Sequence, residues 1–205
     1  MKNQGLVYIF TGDGKGKTSA ALGTAMRALA AGWRVGWIAF YKEAGWNLAE
    51  QQLETMLRPE WAGRFELKLL GKGFYIKKPG RSVEIGNRTV NLAKVRQTYV
   101  SDDDTLDSHQ KAAGLALAEA IRMLARKRKR PQVLVLDEVA NAVADGLIDE
   151  PDLINLIGSR QSTHLVLTGR NASQSLQDKA DLVSRIEKVK HPYDAGQLAV
   201  KGLDF

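Results

Sequence analysis

Apolar residues fall along this chain in two alternating textures: short dense runs, and longer stretches where they return every three or four positions. The first dense run lies within Gly5-Leu-Val-Tyr-Ile-Phe-Thr-Gly12 and predicts a strand. After a glycine-rich turn, the small and apolar residues Ala20 to Ala31 predict a helix, with Leu22, Ala25, Met26 and Leu29 on one face and Gly32 as its stop. Trp33 to Phe40 is the next dense run, nearly unbroken from Val35, as in parallel strands covered on both faces. Leu48 to Leu57 reads as a helix ending before Pro59, and Phe65 to Leu70 as a shorter strand.

The second half repeats the texture. Asp104 or Thr105 can cap a long helix whose apolar face holds Ala113, Leu117, Ile121 and Leu124. Gln132 to Leu136 predicts a buried strand, and Asp149 caps a short helix over Pro151 to Ile157 that stops at Gly158. Thr163 to Thr168 is another strand, Ser175 to Ala180 a helix, and Leu182 to Val189 the last strand. Strands alternating with helices predict a three-layer α/β domain around a mainly parallel sheet. One segment breaks the rhythm. Ser82 to Asn91 alternates on either side of Gly86-Asn87, which signals a hairpin. Residues 77–101 therefore read as a basic hairpin insertion in a single domain spanning residues 1–205.

Composition narrows the class. At 205 residues and 44% hydrophobic, the chain suits one domain with a substantial core. No apolar run approaches the ~18 residues of a membrane span, and no signal peptide precedes the first strand, so a cytoplasmic protein without membrane partners is expected. Without cysteine there is no disulfide framework, thiolate metal site or thiol nucleophile. The net charge of +7 is concentrated in two places. Arg126-Lys-Arg-Lys-Arg130 is one, and Lys77, Lys78, Arg81, Arg88, Lys94 and Arg96 against Glu84 are the other; the rest is net acidic. Arg126 to Arg130 closes a predicted helix before Pro131, where cations complement the helix dipole. Aromatic interleaving is absent, so nucleic acid is not the expected partner.

The turn after the first strand carries the chemistry. Gly12-Asp13-Gly14-Lys15-Gly16-Lys17-Thr18-Ser19 joins a strand to a helix, the context of a phosphate-binding loop. Its glycines let backbone N–H groups converge on phosphate oxygens at the positive end of the helix dipole. Lys17 would reach the phosphates and Thr18 would offer a hydroxyl to Mg²⁺. Against the usual G-x-x-x-x-G-K-[ST] spacing the loop is one residue short, with Thr11 where the first glycine belongs. Ligands of such sheets bind beyond the carboxyl ends of the strands, which also gathers Asp137-Glu138 and Arg170 at one edge. Asp137 and Glu138 suit Mg²⁺, and Arg170 suits phosphate. His109 and His164 read as structural. On these residues the domain is a P-loop NTPase-like fold with an ATP or GTP site that depends on Mg²⁺. Hydrolysis, phosphoryl transfer and attack at the sugar all stay open. A P-loop ATPase that binds nucleic acid or an acidic partner, and a regulatory module without turnover, are the competing readings.

Phe10 to Ser19, Val135-Leu-Asp-Glu138, Leu167-Thr-Gly-Arg170, Lys190 to Gly196 and the tail Lys201 to Phe205 together resemble the cobalamin (corrinoid) adenosyltransferases of the P-loop family found in enteric bacteria. The short loop is how that family writes it. The resemblance implies an enzyme of cobalamin biosynthesis, usually a homodimer, in which cobalt(I) of a reduced corrinoid attacks the 5′ carbon of ATP and triphosphate leaves. A reductase supplying cobalt(I) is the implied partner. By the same resemblance, Gly12, Asp13, Gly14, Lys15, Gly16, Lys17, Thr18 and Ser19 hold the triphosphate with Arg170. Thr18, Asp137 and Glu138 serve Mg²⁺, and Lys17, Glu138 and Phe74 are the catalytic positions. Phe74 and Ile76 match an aromatic pair that displaces the lower cobalt ligand, with Ile76 where tryptophan is expected. Asp13 stands where asparagine is common, and the stretch 77–101 is longer than its family counterpart.

Overall fold

The computed structural model describes residues 4–46, 48–57, 61, 63–73, 82–85, 88–91 and 105–203. Its elements are β1 (Val7–Thr11), α1 (Lys17–Ala30), β2 (Val35–Ala39), 3₁₀ turns at Ala44–Trp46 and Ala49–Gln52, α2 (Leu53–Met56) and β3 (Phe65–Leu69). They continue with β4 (Ser82–Ile85), β5 (Arg88–Asn91), α3 (Leu106–Ala125), β6 (Val133–Asp137), α4 (Val139–Ala144) and α5 (Glu150–Gly158). β7 (His164–Thr168), α6 (Gln174–Gln177), β8 (Leu182–Arg185) and a 3₁₀ turn at Pro192–Ala195 complete the chain. Six strands form one sheet in the order β3-β2-β6-β7-β1-β8, every pair parallel. This is the α/β architecture that the alternating textures predict.

The dense apolar runs are dense because both faces of the sheet are covered. Ile9, Ile38, Leu134, Leu136, Leu165 and Leu167 join the core shared with α3, α4 and α5. Their neighbours Val35, Trp37, Val133, Val135 and Val166 join the opposite core with Ala21, Ala25 and Leu29 of α1. A strand that sends alternate residues into two cores leaves no position for a polar side chain. Alanine on α1 lets the helix lie close to the sheet.

Two local expectations change. Ile121 is 48% exposed, and the buried face of α3 instead runs through Ala113, Ala116, Leu117, Ala120, Met123 and Leu124. Each four-residue step advances about 40° beyond a full turn, so a 113–117–121 row drifts off the core and Met123 takes the inner place. The basic run does not close a helix either. α3 ends at Ala125, and Arg126 turns inward to a two-pronged pair with Glu66 of β3, at 2.5 and 3.0 Å. Thr105 caps α3 as expected, accepting from the Ser108 N–H at 3.2 Å.

The hairpin forms: Ser82–Ile85 pairs antiparallel with Arg88–Asn91 as a sheet of its own. The helix expected over Leu48 to Leu57 is divided between the 3₁₀ turn and α2, and the side chain of Gln51 accepts the Leu48 N–H at 2.6 Å. His164 is structural. Its Nδ1 accepts the Leu6 N–H at 3.0 Å and its ring stacks on Trp33, 5.4 Å between centroids.

Candidate active site

Parallel strands put every carboxyl end on one edge, and the site is built from the loops that leave those ends. After β1, Gly12 (φ 105°) and Gly14 run against the chain leaving β8: the Gly14 N–H donates to Ile186 O at 2.8 Å. A Cβ on Gly12 would stand 2.4 Å from Ile186 O, and one on Gly14 2.5 Å from Glu187 O. These two glycines thus set the loop's course over β8, while Lys15 to Ser19 line the cavity beyond it. Gly16 (φ 115°) opens α1 in a conformation that costs other residues energy. The Lys17 ammonium folds back, donating to Gly12 O and Gly14 O, both at 2.7 Å. Burial and then the nearby Arg170 push its pKa down, against the pull of Asp13 and Glu138. Asp13 itself is exposed and lies outside the cavity lining.

After β6, Asp137 is fully buried, with one oxygen hydrogen-bonded and the other in an ion pair. Its Oδ1 accepts from Thr18 Oγ1 at 3.0 Å and from Thr168 Oγ1 at 2.7 Å, and its Oδ2 faces the Lys42 ammonium at 3.0 Å. Glu138 sits in the left-handed region (φ 62°), an unusual conformation for a residue with a Cβ. Its N–H is held by Thr168 Oγ1 at 2.8 Å. Its Oε2 is buried without a hydrogen-bond partner among the described residues, as are Glu50 Oε2 and Asp137 Oδ2. Burial first, then the charge of Asp137, raises the Glu138 pKa to about 7, with Lys42, Lys17 and Arg170 opposing. After β7, Gly169 (φ 144°) lies so close to Asn141 that a Cβ would stand 2.7 Å from its Oδ1. Asn141 Oδ1 in turn accepts the Arg170 N–H at 2.6 Å, and Arg170 lines the cavity.

The cavity has a volume of about 760 Å³ and two characters. Lysines 15, 17 and 42, Thr18, Glu138 and Arg170 make one end; Leu22, Trp46, Leu48 and Leu53 make an apolar wall. The tail closes the remaining side with His191, Tyr193, Leu198 and Leu203. Lys17, Thr18, Asp137, Glu138 and Arg170 are thus brought together. Phe74 and Ile76 lie outside the described residues. Lys42, Glu50 and Asn141 are additions that sequence reading missed. Lys42 comes two positions after a dense run, close to the strand end as Asp137 and Arg170 are, so the rule of strand ends could have found it.

The donor set fits Mg²⁺. That ion takes one or two carboxylates and a hydroxyl, completing its shell with waters and substrate phosphates. Thr18, Asp137 and the unpartnered Glu138 oxygen supply such a set beside a phosphate-type loop. Among the described residues no group of three His, Cys, Asp or Glu side chains could hold a metal alone.

A strand, a short glycine loop opening a helix, and an acidic strand end sharing a threonine hydroxyl with it define a P-loop nucleotide-binding protein. The family described as ATP:corrinoid adenosyltransferase BtuR/CobO/CobP matches residues 3–85 and 81–205, and the chain belongs to it. It is 31% identical to the corrinoid adenosyltransferase CobA of Salmonella typhimurium, over 100% of this chain and 87% of that protein. The corrinoid adenosyltransferase of Escherichia coli K12 is also 31% identical, over 98% of this chain and 86% of its own. A solved KaiC-like protein from Pyrococcus horikoshii OT3 shares 14% identity at a TM-score of 0.44, covering 92% of this chain and 75% of its own.

Proposed function

We propose that this adenosyltransferase binds Mg-ATP with the triphosphate on Lys15 to Ser19 and Arg170, and transfers the 5′-deoxyadenosyl group to cobalt(I) of cobalamin or a related corrinoid. The observation that carries the assignment of residues is the cavity's division: cations and a threonine hydroxyl at one end, an apolar wall at the other. Cobalt(I) donates its electron pair to the 5′ carbon, a cobalt–carbon bond forms, and the carbon–oxygen bond to the triphosphate breaks. The pair leaves with triphosphate, so the protein must position two substrates and neutralise a leaving anion. No side chain need act as a base, because no proton moves at the reacting carbon. Lys17 leaves the Gly12 and Gly14 carbonyls to meet phosphate, and Arg170 meets it from the end of β7. Mg²⁺, held by Thr18 and Glu138 with Asp137 behind them, would screen the triphosphate's charge.

The remaining assignments complete this reading. Phe74 acts as an apolar wedge that strips the lower axial ligand from cobalt(II), with Ile76 beside it; a reductase supplies the electron, and the enzyme works as a cytoplasmic homodimer in cobalamin biosynthesis. Residues 77–101 form an excursion from one domain, a reading supported by β4 and β5, which among the described residues make a two-stranded sheet of their own. Replacing that stretch with a Gly/Ser linker should leave Mg-ATP affinity intact, and loss of binding would place it in the core.

The decisive experiment supplies Mg-ATP with either chemically reduced cob(I)alamin or cob(II)alamin plus reductant. Adenosylcobalamin and triphosphate are the expected products from both. Phe74→Ala should impair the cob(II)alamin reaction far more than the cob(I)alamin one. Phosphate release without adenosylcobalamin would overturn the reading.

A further inference from the structure

One ammonium group serves the whole acidic corner of the cavity. Lys42 Nζ lies 3.0 Å from Asp137 Oδ2 and 3.2 Å from Glu50 Oε1, with only 14% of its side chain exposed. The loop lysine is not the partner of these acids, because Lys17 is occupied by two backbone carbonyls. Thr18 and Thr168 take the other Asp137 oxygen, so Lys42 holds the one carboxylate edge the threonines leave. Three carboxylate oxygens here, Asp137 Oδ2, Glu50 Oε2 and Glu138 Oε2, are buried without a hydrogen-bond donor among the described residues, and the first of them faces the Lys42 ammonium. Buried carboxylate oxygens without donors are costly, and here they flank a cation within an open cavity.

We propose that Lys42 is a positioning residue that stands in for the divalent cation. It neutralises Asp137 and Glu50 while the triphosphate is absent and so denies this corner to Mg²⁺ alone. The triphosphate then offers the ammonium new anionic partners in the cavity that Lys42 lines. A cation with two carboxylate anchors can leave Asp137 and keep Glu50, freeing the acidic strand end as the metal arrives with its nucleotide. The backbone of the same short segment is itself fixed by the chain that follows β3. The Gly71 N–H donates to Lys42 O at 3.0 Å and the Gly73 N–H to Tyr41 O at 2.8 Å. This inference rests on the assignment of the triphosphate and Mg²⁺ to this cavity.

The test needs no turnover. Mn²⁺, which accepts the same oxygen donors, is titrated into nucleotide-free protein and its free signal followed by electron paramagnetic resonance. Wild type and Lys42→Arg should show no binding up to about 1 mM, whereas Lys42→Met should gain a site about tenfold tighter or better, the size of a typical coupling between sites. A Lys42→Met protein that folds, by circular dichroism, yet binds Mn²⁺ no better than wild type overturns the proposal. Should that variant fail to fold, ¹⁵N resonances of lysine Nζ in the wild type decide. The Lys42 signal should ignore Mg²⁺ and shift with Mg-tripolyphosphate; a shift with Mg²⁺ alone, or none with Mg-tripolyphosphate, overturns it. A gain in Mn²⁺ affinity in Lys42→Met, with no Mg-ATP binding by wild type, would uphold the role of Lys42 and refute only the nucleotide assignment.

Discussion

The two ends of the sheet carry charge in opposite ways. At the amino ends of β2, β3 and β6, Arg34, Arg64, Arg126, Lys129 and Glu66 surround a cleft of about 60 Å³. The arginines there are already employed: Arg126 on Glu66, Arg34 on Gly63 O at 3.1 Å and Arg64 on Gly32 O. At the carboxyl ends, lysines and carboxylates line a cavity more than ten times larger, and three buried acidic oxygens there have no hydrogen-bond partner among the described residues. Five charged side chains line the cleft and six the cavity; the difference lies in room and unmet bonding capacity. A charged cluster that satisfies itself fastens the fold, whereas one left incomplete is waiting for a ligand.

That contrast breaks first at Lys17 and Glu138. On the proposed assignment, Lys17→Ala removes a cation from the triphosphate and Glu138→Gln weakens the metal. Each should lower adenosylcobalamin formation by on the order of a hundredfold or more with the fold retained, as losses of transition-state charge stabilisation do. Near-normal turnover in both would dissolve the distinction between the two ends.

A smaller effect separates them by pH. The folded pKa of Glu138, raised to about 7 from an ordinary 4.5, lies above its unfolded value. Its contribution to stability is present below about pH 4.5 and lost as pH rises through about 7. Glu138→Gln should therefore gain melting temperature relative to metal-free wild type between those limits. A difference that stays flat across the range would show that the carboxyl is not held in its neutral form.

The smallest effect belongs to the amino end. The Arg126–Glu66 pair is two-pronged and only partly exposed, so Arg126→Ala should cost about 1 kcal/mol in chemical denaturation. Turnover with Mg-ATP and cob(I)alamin should not change. A change in KM or kcat would mean that the two ends communicate.

Legibility in the sequence divides along the same line. Thr18, Asp137, Glu138 and Arg170 were legible because each directly succeeds a dense apolar run or the loop after it, and parallel strands must bring those ends together. Lys42 obeys the same rule but sits in Tyr41-Lys42-Glu43, which resembles no motif. Glu50 and the tail residues His191 to Leu203 reach the cavity through packing between distant segments, and local pattern carries no trace of that. Ile121 failed because a four-residue row drifts around the helix. The basic run failed because a charge count cannot tell a helix end from a loop whose arginine turns back to Glu66.

The place of β1 in the strand order carries a consequence for how the molecule comes into being. The strand bearing the phosphate loop precedes the other described strands, yet its neighbours in the sheet are β7 and β8, which begin at His164 and Leu182. Pairings so distant in sequence form late and slowly. During synthesis β2, β3 and β6 can assemble before β1 has any neighbour, and the nascent chain carries Leu6 to Phe10 as an unpaired apolar segment until β7 emerges. Ribosome-stalled chains ending before residue 160 should therefore leave Val7 to Thr11 open to proteolysis. Nucleotide-binding capacity should arise in one step, once β7 and β8 have emerged.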